Sequence, residues 1–595
     1  MNTELSPVAR AAMNKLRAAM NDRGASLASD QWSALQSLIQ TFDRITNGEA
    51  DNVAYLSSLD PGVGKTTAIS SYLAALEPVH RDRSDGRHPG ALICVERIQQ
   101  AHDFRDQLLA MGIHQSRIGI WVAGNKAFEK EKSDNLEYRP ILLTTHERVR
   151  RMTKGRRMSD AWELDYRGQS RKLRVWDETF SVTRGIKIDK RSLGQAIGAL
   201  SRKYEEEAAD LLAQVRSDLD SWQDGGSMQF PHWVGSLGAT DVDEYLSGER
   251  GTGLSAESFL DLAAISGKNV HVSKNGGEVA KVHFRPTLPD DIYPVVVTDA
   301  SGRIRQQYAD QERLGRVERL PCAYKTYENL TISVWRASGS KTAWKRPDNS
   351  EAYLSGIAEL IESKPTEKWL VVHHKASRIG RRDGGVPDIP RKLRERLSRP
   401  ENVAFLNWGR HTATNDFVGC ENVILAGTLF YSDNDYEAMK RASAELQPDR
   451  KVLTADRSKV RLGELGHHIL QALCRASARL PDRGDCRPCN AWIMALPKTG
   501  IEKALPTWFP GANIRLWKPS SVQEKPKTIT NADQFVSMLE ALSPGHRLTF
   551  AEARTTLGLS GQNFGRLLRN VQVRTAVEFL DIETLKEGRT KAFVK

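Results

Sequence analysis

The chain has 595 residues, too many for one hydrophobic core, and its 39% hydrophobic and 27% charged residues are typical of a multidomain globular protein. The 86 Lys and Arg against 74 Asp and Glu leave a net charge of +12, which favours a polyanionic partner such as nucleic acid. An apolar run long enough to cross a membrane is absent, and the six scattered cysteines exclude a disulfide framework. We therefore expect a protein of the reducing cytoplasm without a membrane partner.

The first element predicted along the chain is a helical segment over residues 1–45, in which apolar residues recur at helical spacing from Trp32 to Phe42. From about residue 53, short apolar runs alternate with amphipathic stretches, as strands and helices do in a parallel α/β sheet. We assign residues 46–320 to a first α/β domain. Its predicted strands are residues 53–59, 91–95, 118–122, 141–144, 173–176 and 295–298.

Residues 59–67, LDPGVGKTT, directly follow the first predicted strand and precede a helical stretch. Glycines let successive backbone N–H groups face phosphate oxygens, and a helix N-terminus adds its positive end. In such a loop Lys65 reaches the β- and γ-phosphates, and the Thr66 hydroxyl ligates magnesium. The sequence therefore predicts a site for ATP and Mg²⁺, although Leu59 stands where the general pattern has glycine. The predicted nucleotide contacts in the loop are Gly62, Val63, Gly64, Lys65, Thr66 and Thr67.

Two adjacent carboxylates, Asp177 and Glu178, follow the apolar strand at 173–176. An Asp-Glu pair alone is more often a solvated turn, but here it follows a phosphate-binding loop at a separation that suits a nucleotide site. Asp177 is then predicted to hold the magnesium, and Glu178 to orient and deprotonate the attacking water.

More than a hundred residues separate the strand at 173–176 from the strand at 295–298. We predict an insertion over about 185–290, with a strong helical segment at 192–222 and weakly patterned, glycine-rich sequence around 224–277. Its charged helix is either a clamp on a nucleic-acid strand or an ordinary solvated face, and the sequence leaves both interpretations open.

A second α/β domain is predicted over residues 321–517, followed by a Pro-, Lys- and Ser-rich linker at 518–530. Cys486 and Cys489 have metal-ligand spacing but lack a second such pair, so two turn cysteines are favoured over a zinc site. The predicted strands of this domain are residues 369–373, 403–406 and 423–426.

Residues 531–595 form a final small unit, in which Thr549 caps one predicted helix and a second helix follows a turn at 558–560. Strand-like runs around 577–580 and 592–594 flank a polar hairpin. This order resembles a winged helix, a module that either contacts DNA or docks proteins. The DNA contacts that this resemblance implies are Arg566, Arg569, Arg589 and Lys591.

The motifs together resemble those of the superfamily 2 helicases over roughly residues 30–515, within the DExx-box class. Residues 141–147 look like the first-lobe motif that touches the nucleic-acid backbone, and residues 295–302 look like motif III. Residues 415–420 and 471–479 look like motifs V and VI. The resemblance implies two RecA-like lobes with ATP bound between them and nucleic acid as the partner.

The motif VI resemblance implies that Arg475 crosses the lobe interface and stabilises charge on the transferred phosphoryl group. It also implies that Arg479 assists and that Gln471 contacts the nucleotide. For both arginines the alternative is a surface arginine on an amphipathic helix, and Arg479 stands one residue later than the second arginine of the family. Gln31 is either a reader of adenine or a plain helix residue.

The fold class expected is therefore α/β, with two RecA-like parallel-sheet lobes, a helical insertion in the first lobe and a small winged-helix-like domain. The function expected is an ATP-dependent helicase or translocase, with DNA favoured over RNA. The alternative is a P-loop ATPase switch that remodels nucleoprotein without unwinding. A regulator without ATPase activity is a weaker third reading, because Lys65, Thr66, Asp177 and Glu178 are all intact.

Overall fold

The computed structural model divides the chain into two compact units, residues 1–519 and 520–595. No described helix is long and apolar enough to cross a lipid bilayer. The structure describes residues 5–80, 88–124, 130–202, 205–221, 224–237, 256–275, 278–377, 385–409, 416–521, 531–543, 545–570, 573, 576–577, 580, 582–587 and 590–594.

Strands and helices are numbered here in chain order. The strands are β1 (Ala54–Ser57), β2 (Ala91–Val95), β3 (Ile118–Val122), β4 (Glu131–Lys132), β5 (Ile141–Thr145), β6 (Leu173–Asp177), β7 (Thr183–Asp189), β8 (Ser227–Gln229), β9 (Asn269–Asn275), β10 (Glu278–Pro286), β11 (Val295–Thr298), β12 (Val317–Arg319), β13 (Leu330–Trp335), β14 (Trp369–His373), β15 (Val403–Asn407), β16 (Asn422–Ala426), β17 (Pro481–Asp482), β18 (Asp485–Cys486), β19 (Cys489–Met494), β20 (Asn513–Leu516), β21 (Arg547–Thr549), β22 (Glu583–Glu587) and β23 (Thr590–Val594). The α-helices are α1 (Pro7–Asp22), α2 (Ser29–Asn47), α3 (Lys65–His80), α4 (Ile98–Ala110), α5 (His146–Met152), α6 (Lys190–Arg202), α7 (Glu206–Asp218), α8 (Ala256–Ala264), α9 (Gln306–Arg313), α10 (Lys341–Trp344), α11 (Pro347–Glu362), α12 (Ile389–Arg394), α13 (Asp433–Ser443), α14 (Thr454–Leu473), α15 (Ile501–Trp508), α16 (Asn531–Glu540), α17 (Phe550–Thr556) and α18 (Gly561–Leu567).

The first lobe is built on an eight-stranded sheet in the order β12-β1-β11-β6-β2-β5-β3-β4, parallel except for the edge strand β4. The central strands are buried on both faces, which explains why their sequences are continuous apolar runs without alternation. The predicted strands at 91–95, 118–122 and 295–298 are confirmed at both ends. Because neighbouring parallel strands end at the same edge, β1, β6 and β11 bring their carboxyl ends together.

The N-terminal helical segment is two helices rather than one. The turn between them contains Gly24, whose φ of +63° is in the left-handed region. Helix α1 packs along α3. Its buried residues Leu16 and Met20 join the same hydrophobic core as the sheet, so the helix lies beside the loop between β1 and α3.

The insertion carries α6 and α7, where the helical segment was predicted, and also an antiparallel sheet in the order β7-β10-β9-β8 that was not predicted. Polar residues at buried positions hide this sheet in the sequence, since His271, Ser273 and Lys281 are all buried. The sheet packs against α13 of the second lobe, and the backbone of Ala438 lies where a side chain at Gly185 would project.

The second lobe is built on a six-stranded parallel sheet in the order β15-β14-β16-β19-β13-β20. Its buried side chains form a core that continues into α14 and α15. The first unit is thus a mixed α/β structure with two parallel-sheet lobes, as the sequence predicted.

The second unit contains α16, α17, α18 and an antiparallel sheet in the order β21-β23-β22. Thr549 caps α17 as predicted, because its hydroxyl accepts a hydrogen bond from the Glu552 backbone N–H at 3.1 Å. The strand predicted at 577–580 is wrong, since Ala576 and Val577 are helical and the strand begins at Glu583. Val577 and Leu580 pack on the hydrophobic core of this unit, and burial alone does not distinguish a helix from a strand. Arg589 lies outside the described residues.

Candidate nucleotide cleft between the lobes

The phosphate-binding loop joins β1 to α3 and turns at Gly62 and Gly64, whose φ angles are +89° and +111°. A side chain on Gly62 would place its Cβ 1.9 Å from the carbonyl oxygen of Arg479 in the second lobe. Glycine is therefore required at Gly62 both by the turn and by the close approach of the other lobe. Val63 lies buried in the hydrophobic core under the loop.

Lys65 begins α3, and its ammonium group donates to the carbonyl oxygens of Leu59 and, at 3.2 Å, of Asp60. Burial lowers the pKa of Lys65, while the nearby carboxylate of Asp177 acts in the opposite direction. The lysine is thus held within the loop, beside the carboxylate that ends β6.

Asp177 is buried at the end of β6, where it accepts a 2.6 Å hydrogen bond from the Thr298 hydroxyl on β11. Burial and the adjacent charge of Glu178 raise the pKa of Asp177 to about 6. A bound cation would relieve both effects, because the carboxylate gains a positive partner.

Glu178 has a φ of +67°, in the left-handed region that non-glycine residues rarely adopt. Its backbone N–H donates to the Thr298 carbonyl oxygen at 3.1 Å, which holds this conformation. One oxygen of its carboxylate, Oε2, is buried without a hydrogen-bond partner among the described residues. A strained residue with an unsatisfied buried oxygen indicates a group positioned for function rather than for stability.

Arg475 follows α14 in the second lobe and is 2% exposed. Its guanidinium donates to Gln471 at 2.6 Å and lies 3.8 Å from Glu178 Oε1, so this ion pair joins the two lobes. Burial lowers the pKa of Arg475, and burial together with the Arg475 charge lowers that of Arg479 to about 10. Both arginines remain cationic at neutral pH.

Lys325, which sequence reasoning missed, connects the same two segments from the chain that joins the lobes. Its fully buried ammonium group donates to the carbonyl oxygens of Pro61 at 2.9 Å, Ala478 at 2.6 Å and Arg479 at 3.0 Å. One cation therefore holds the phosphate-binding loop against the backbone that carries the arginines. A lone lysine in a connecting segment carries no recognisable motif.

A second set of contacts links the motif III segment to α14. Ser301 donates to Asp299 at 2.6 Å and lies 2.7 Å from His467. Arg305 pairs with Glu464 through bonds of 2.7 and 3.1 Å in a buried site. These contacts place the turn after β11 directly against the helix that precedes Arg475.

These segments enclose a cavity of about 450 Å³. Helices α1 and α4 form one side, where Arg23 donates to the Thr67 hydroxyl at 2.8 Å, and the sequence did not predict that contribution. Gln31 lies elsewhere, with its amide near the carbonyl oxygens of Tyr324 and Gly484. The predicted site residues that line the cavity are Gly62, Gly64, Lys65, Thr66, Thr67, Asp177, Glu178, Gln471, Arg475 and Arg479.

Two further motifs are described in part by the structure. Of the segment resembling motif V, Asn415 lies outside the described residues, whereas Val418 lines the cavity. Cys486 and Cys489 are buried free thiols, and the described residues contain no cluster of metal-binding side chains.

No protein-family model matches the sequence, and no curated protein matches it either. Solved structures do. An apo XPD structure matches with 13% identity and a TM-score of 0.42, covering 80% of this chain and 99% of that one. Dbp5 of S. cerevisiae bound to RNA and ADP BeF3 matches with 11% identity and a TM-score of 0.36, covering 84% and 95%. The Mycobacterium smegmatis helicase Lhr, bound to ssDNA and AMP-PNP, also matches with 11% identity and a TM-score of 0.36, covering 99% and 61%.

The two parallel-sheet lobes share a cleft, and the predicted nucleotide motifs of both lobes line it. This arrangement is the α/β fold class that the sequence predicted, with two parallel-sheet lobes.

Proposed function

We propose that the chain hydrolyses ATP between its two lobes and uses hydrolysis to move along, or unwind, nucleic acid. The observation that carries the proposal is the ion pair between Arg475 of the second lobe and Glu178 of the first, inside a cleft that also holds Lys65. Closing of the cleft would bring both lobes to one nucleotide, and hydrolysis would release them.

The residues present fit ATP with Mg²⁺. The Thr66 hydroxyl and the Asp177 carboxylate are oxygen ligands of the kind that Mg²⁺ prefers, and the turns at Gly62 and Gly64 leave backbone N–H groups to hold phosphates. When bound, the metal neutralises charge on the phosphate oxygens. Glu178 would accept the proton of the attacking water, and Arg475 would stabilise the negative charge that develops on the phosphoryl group.

Nucleic acid is the proposed partner because the chain has a net charge of +12. The second unit is the reason for proposing DNA as the nucleic-acid partner. Its helix-strand-helix-helix-strand-strand order and its sheet order β21-β23-β22 resemble those of a winged helix, with Arg566 and Arg569 in or just after the second of the paired helices.

The test is ATP turnover without nucleic acid and with single-stranded DNA, duplex DNA or RNA, followed by a strand-displacement assay. We expect nucleic acid to raise turnover at least about tenfold and Lys65→Ala to abolish it. Turnover that no nucleic acid stimulates contradicts the proposal. Stimulated turnover without displacement or translocation supports the alternative, a P-loop switch that remodels nucleoprotein.

A further inference from the structure

A second and larger cavity, of about 1900 Å³, lies between the first lobe and the insertion, away from the nucleotide cleft. One wall is α5 with the residues after it, and the other is α8 with the end of β10. Among the described residues that line it, eight are basic and four are acidic, so the cavity is cationic: Arg150, Arg151, Lys154, Arg156, Arg157, Arg184, Lys268 and Arg285 against Glu147, Asp160, Asp290 and Asp291.

The positive charge is concentrated on the first-lobe wall. Residues 150–157, RRMTKGRR, supply five of the eight cations, and Arg151, Lys154 and Arg157 are exposed. On the opposite wall Arg184 and Arg285 share the single carboxylate of Asp261, at 3.3 and 2.7 Å, which offsets one of their two charges. We call residues 150–157 the basic loop.

Two of the acidic partners of the basic loop are exchangeable. Arg151 pairs with Glu147 at 2.9 Å while both side chains are about two-thirds exposed, and Arg157 lies 3.7 Å from Asp291 while 75% exposed. Exposed pairs of this kind contribute little, roughly 0–1 kcal/mol, because solvent screens them. A phosphate group can therefore replace either carboxylate.

The facing wall also carries an apolar surface. Val234, Leu260, Ala263 and Ala264 line it with half-buried side chains. Trp162 is outside the cavity lining but follows the basic loop, two residues after the cavity-lining Asp160, and is 71% exposed. Single strands bind to grooves that combine phosphate-binding cations with aromatic surfaces for the bases, whereas a duplex presents phosphates on both sides.

We propose that this cavity is a binding groove for single-stranded nucleic acid, with phosphates on the basic loop and bases against the apolar wall and Trp162. The groove is linked to the strand that ends at the nucleotide site, since the Arg150 guanidinium lies 5.4 Å from the ring centre of Trp176, the residue before Asp177. The inference deepens the proposed function by naming where its nucleic-acid substrate is held.

The test compares two triple variants of the full chain that lose the same charge. One combines Arg151→Ala, Lys154→Ala and Arg157→Ala in the basic loop. The control combines Lys364→Ala, Lys368→Ala and Arg399→Ala, all exposed at the amino-terminal edge of the second-lobe sheet. Thermal unfolding midpoints establish that both variants are folded. The ligands are labelled dT and rU oligonucleotides of about 20 nucleotides and a duplex of the same length.

We expect the groove variant to bind the single strands at least about tenfold more weakly than the control variant at moderate salt, with a logarithmic salt slope smaller by about 2. Trp162→Ala should weaken binding without changing the slope, and Trp162→Phe should restore it. Loss for dT alone or rU alone identifies the strand as DNA or RNA, and loss for both means that the groove binds either. Equal affinity and slope in the two triple variants would overturn the groove, as would a loss confined to the duplex. If the wild-type ATPase is stimulated by nucleic acid in that case, the proposed function stands without the groove.

Discussion

Two of the regions where the lobes meet hold buried carboxylates whose surroundings differ. In the nucleotide cleft, the pKa of Asp177 is raised to about 6, and Glu178 keeps one buried oxygen without a partner. Where the insertion meets α13, the buried carboxylate of Glu437 contacts His271 at 3.1 Å and accepts from Ser273 at 2.9 Å. This contrast is the one expected if the cleft is arranged for chemistry, as we propose, and the second region for stability.

The largest expected effect is on the rate of hydrolysis in the cleft. Arg475→Ala should lower kcat by about 10³-fold, since the variant loses the cation that stabilises the developing charge, while nucleotide affinity changes little. The matched variant Arg479→Ala should be milder. Steady-state kinetics and nucleotide titration of each variant provide the measurement. A normal kcat for Arg475→Ala would contradict its assignment.

Lys325 links the two lobes at the cleft, and its replacement should affect both rate and stability. Lys325→Met leaves three carbonyl oxygens without their donor. We expect a loss of about 1–3 kcal/mol in unfolding free energy and a lower kcat. Lys368→Met, at an exposed position, serves as the control. Wild-type values of both quantities would show that the buried lysine does not hold the lobes together.

Glu437 provides the opposite test, on stability rather than rate. Burial raises the pKa of Glu437, but hydrogen bonds from His271 and Ser273 and the charge of Arg441 outweigh it and hold the pKa at about 2. The pKa of Glu437 is lower in the folded state than its value of 4.5 in the unfolded state. The charged carboxylate therefore stabilises the fold above pH about 4.5, and this contribution is lost as the pH falls toward 2. Glu437→Gln should therefore cost about 2–4 kcal/mol at neutral pH and less at pH about 3. Denaturant unfolding of this variant and of Glu395→Gln, whose carboxylate is exposed, measures the difference. An equal loss of unfolding free energy at both pH values would show that the charge of the Glu437 carboxylate does not stabilise the fold.

The smallest expected effect lies outside both regions. Arg566→Ala combined with Arg569→Ala should reduce duplex affinity and lower its logarithmic salt slope by about 2, because two phosphate contacts are lost. Adding Arg589→Ala and Lys591→Ala should increase the change. Fluorescence titrations at several salt concentrations measure both quantities. Unchanged duplex binding would favour the protein-docking interpretation of this unit.

The parts of the cleft that the sequence predicted are short contiguous motifs. The loop with Lys65, the pair Asp177 and Glu178, and Arg475 each stand at the end of a strand or helix whose apolar pattern is local. The structure brings all four to one cavity. Their predicted roles in hydrolysis remain predictions.

The remaining features depend on contacts between distant segments. Lys325 and the pair of His271 with Glu437 have no local pattern, because their partners lie more than a hundred residues away. The basic loop has five cations in eight residues, but this pattern alone predicts no particular site. A binding groove could not be inferred from these cations alone, because only the fold brings the apolar wall of the insertion opposite the basic loop.

The most direct test of hydrolysis between the lobes is a single sample of Glu178→Gln, assayed for bound ATP and for released phosphate. The amide keeps the size of the side chain but cannot accept the proton of water. We predict wild-type or tighter ATP binding with phosphate release lowered by at least about 10³-fold. Release at near the wild-type rate would contradict the assignment of Glu178 and, with it, the catalytic account of the cleft.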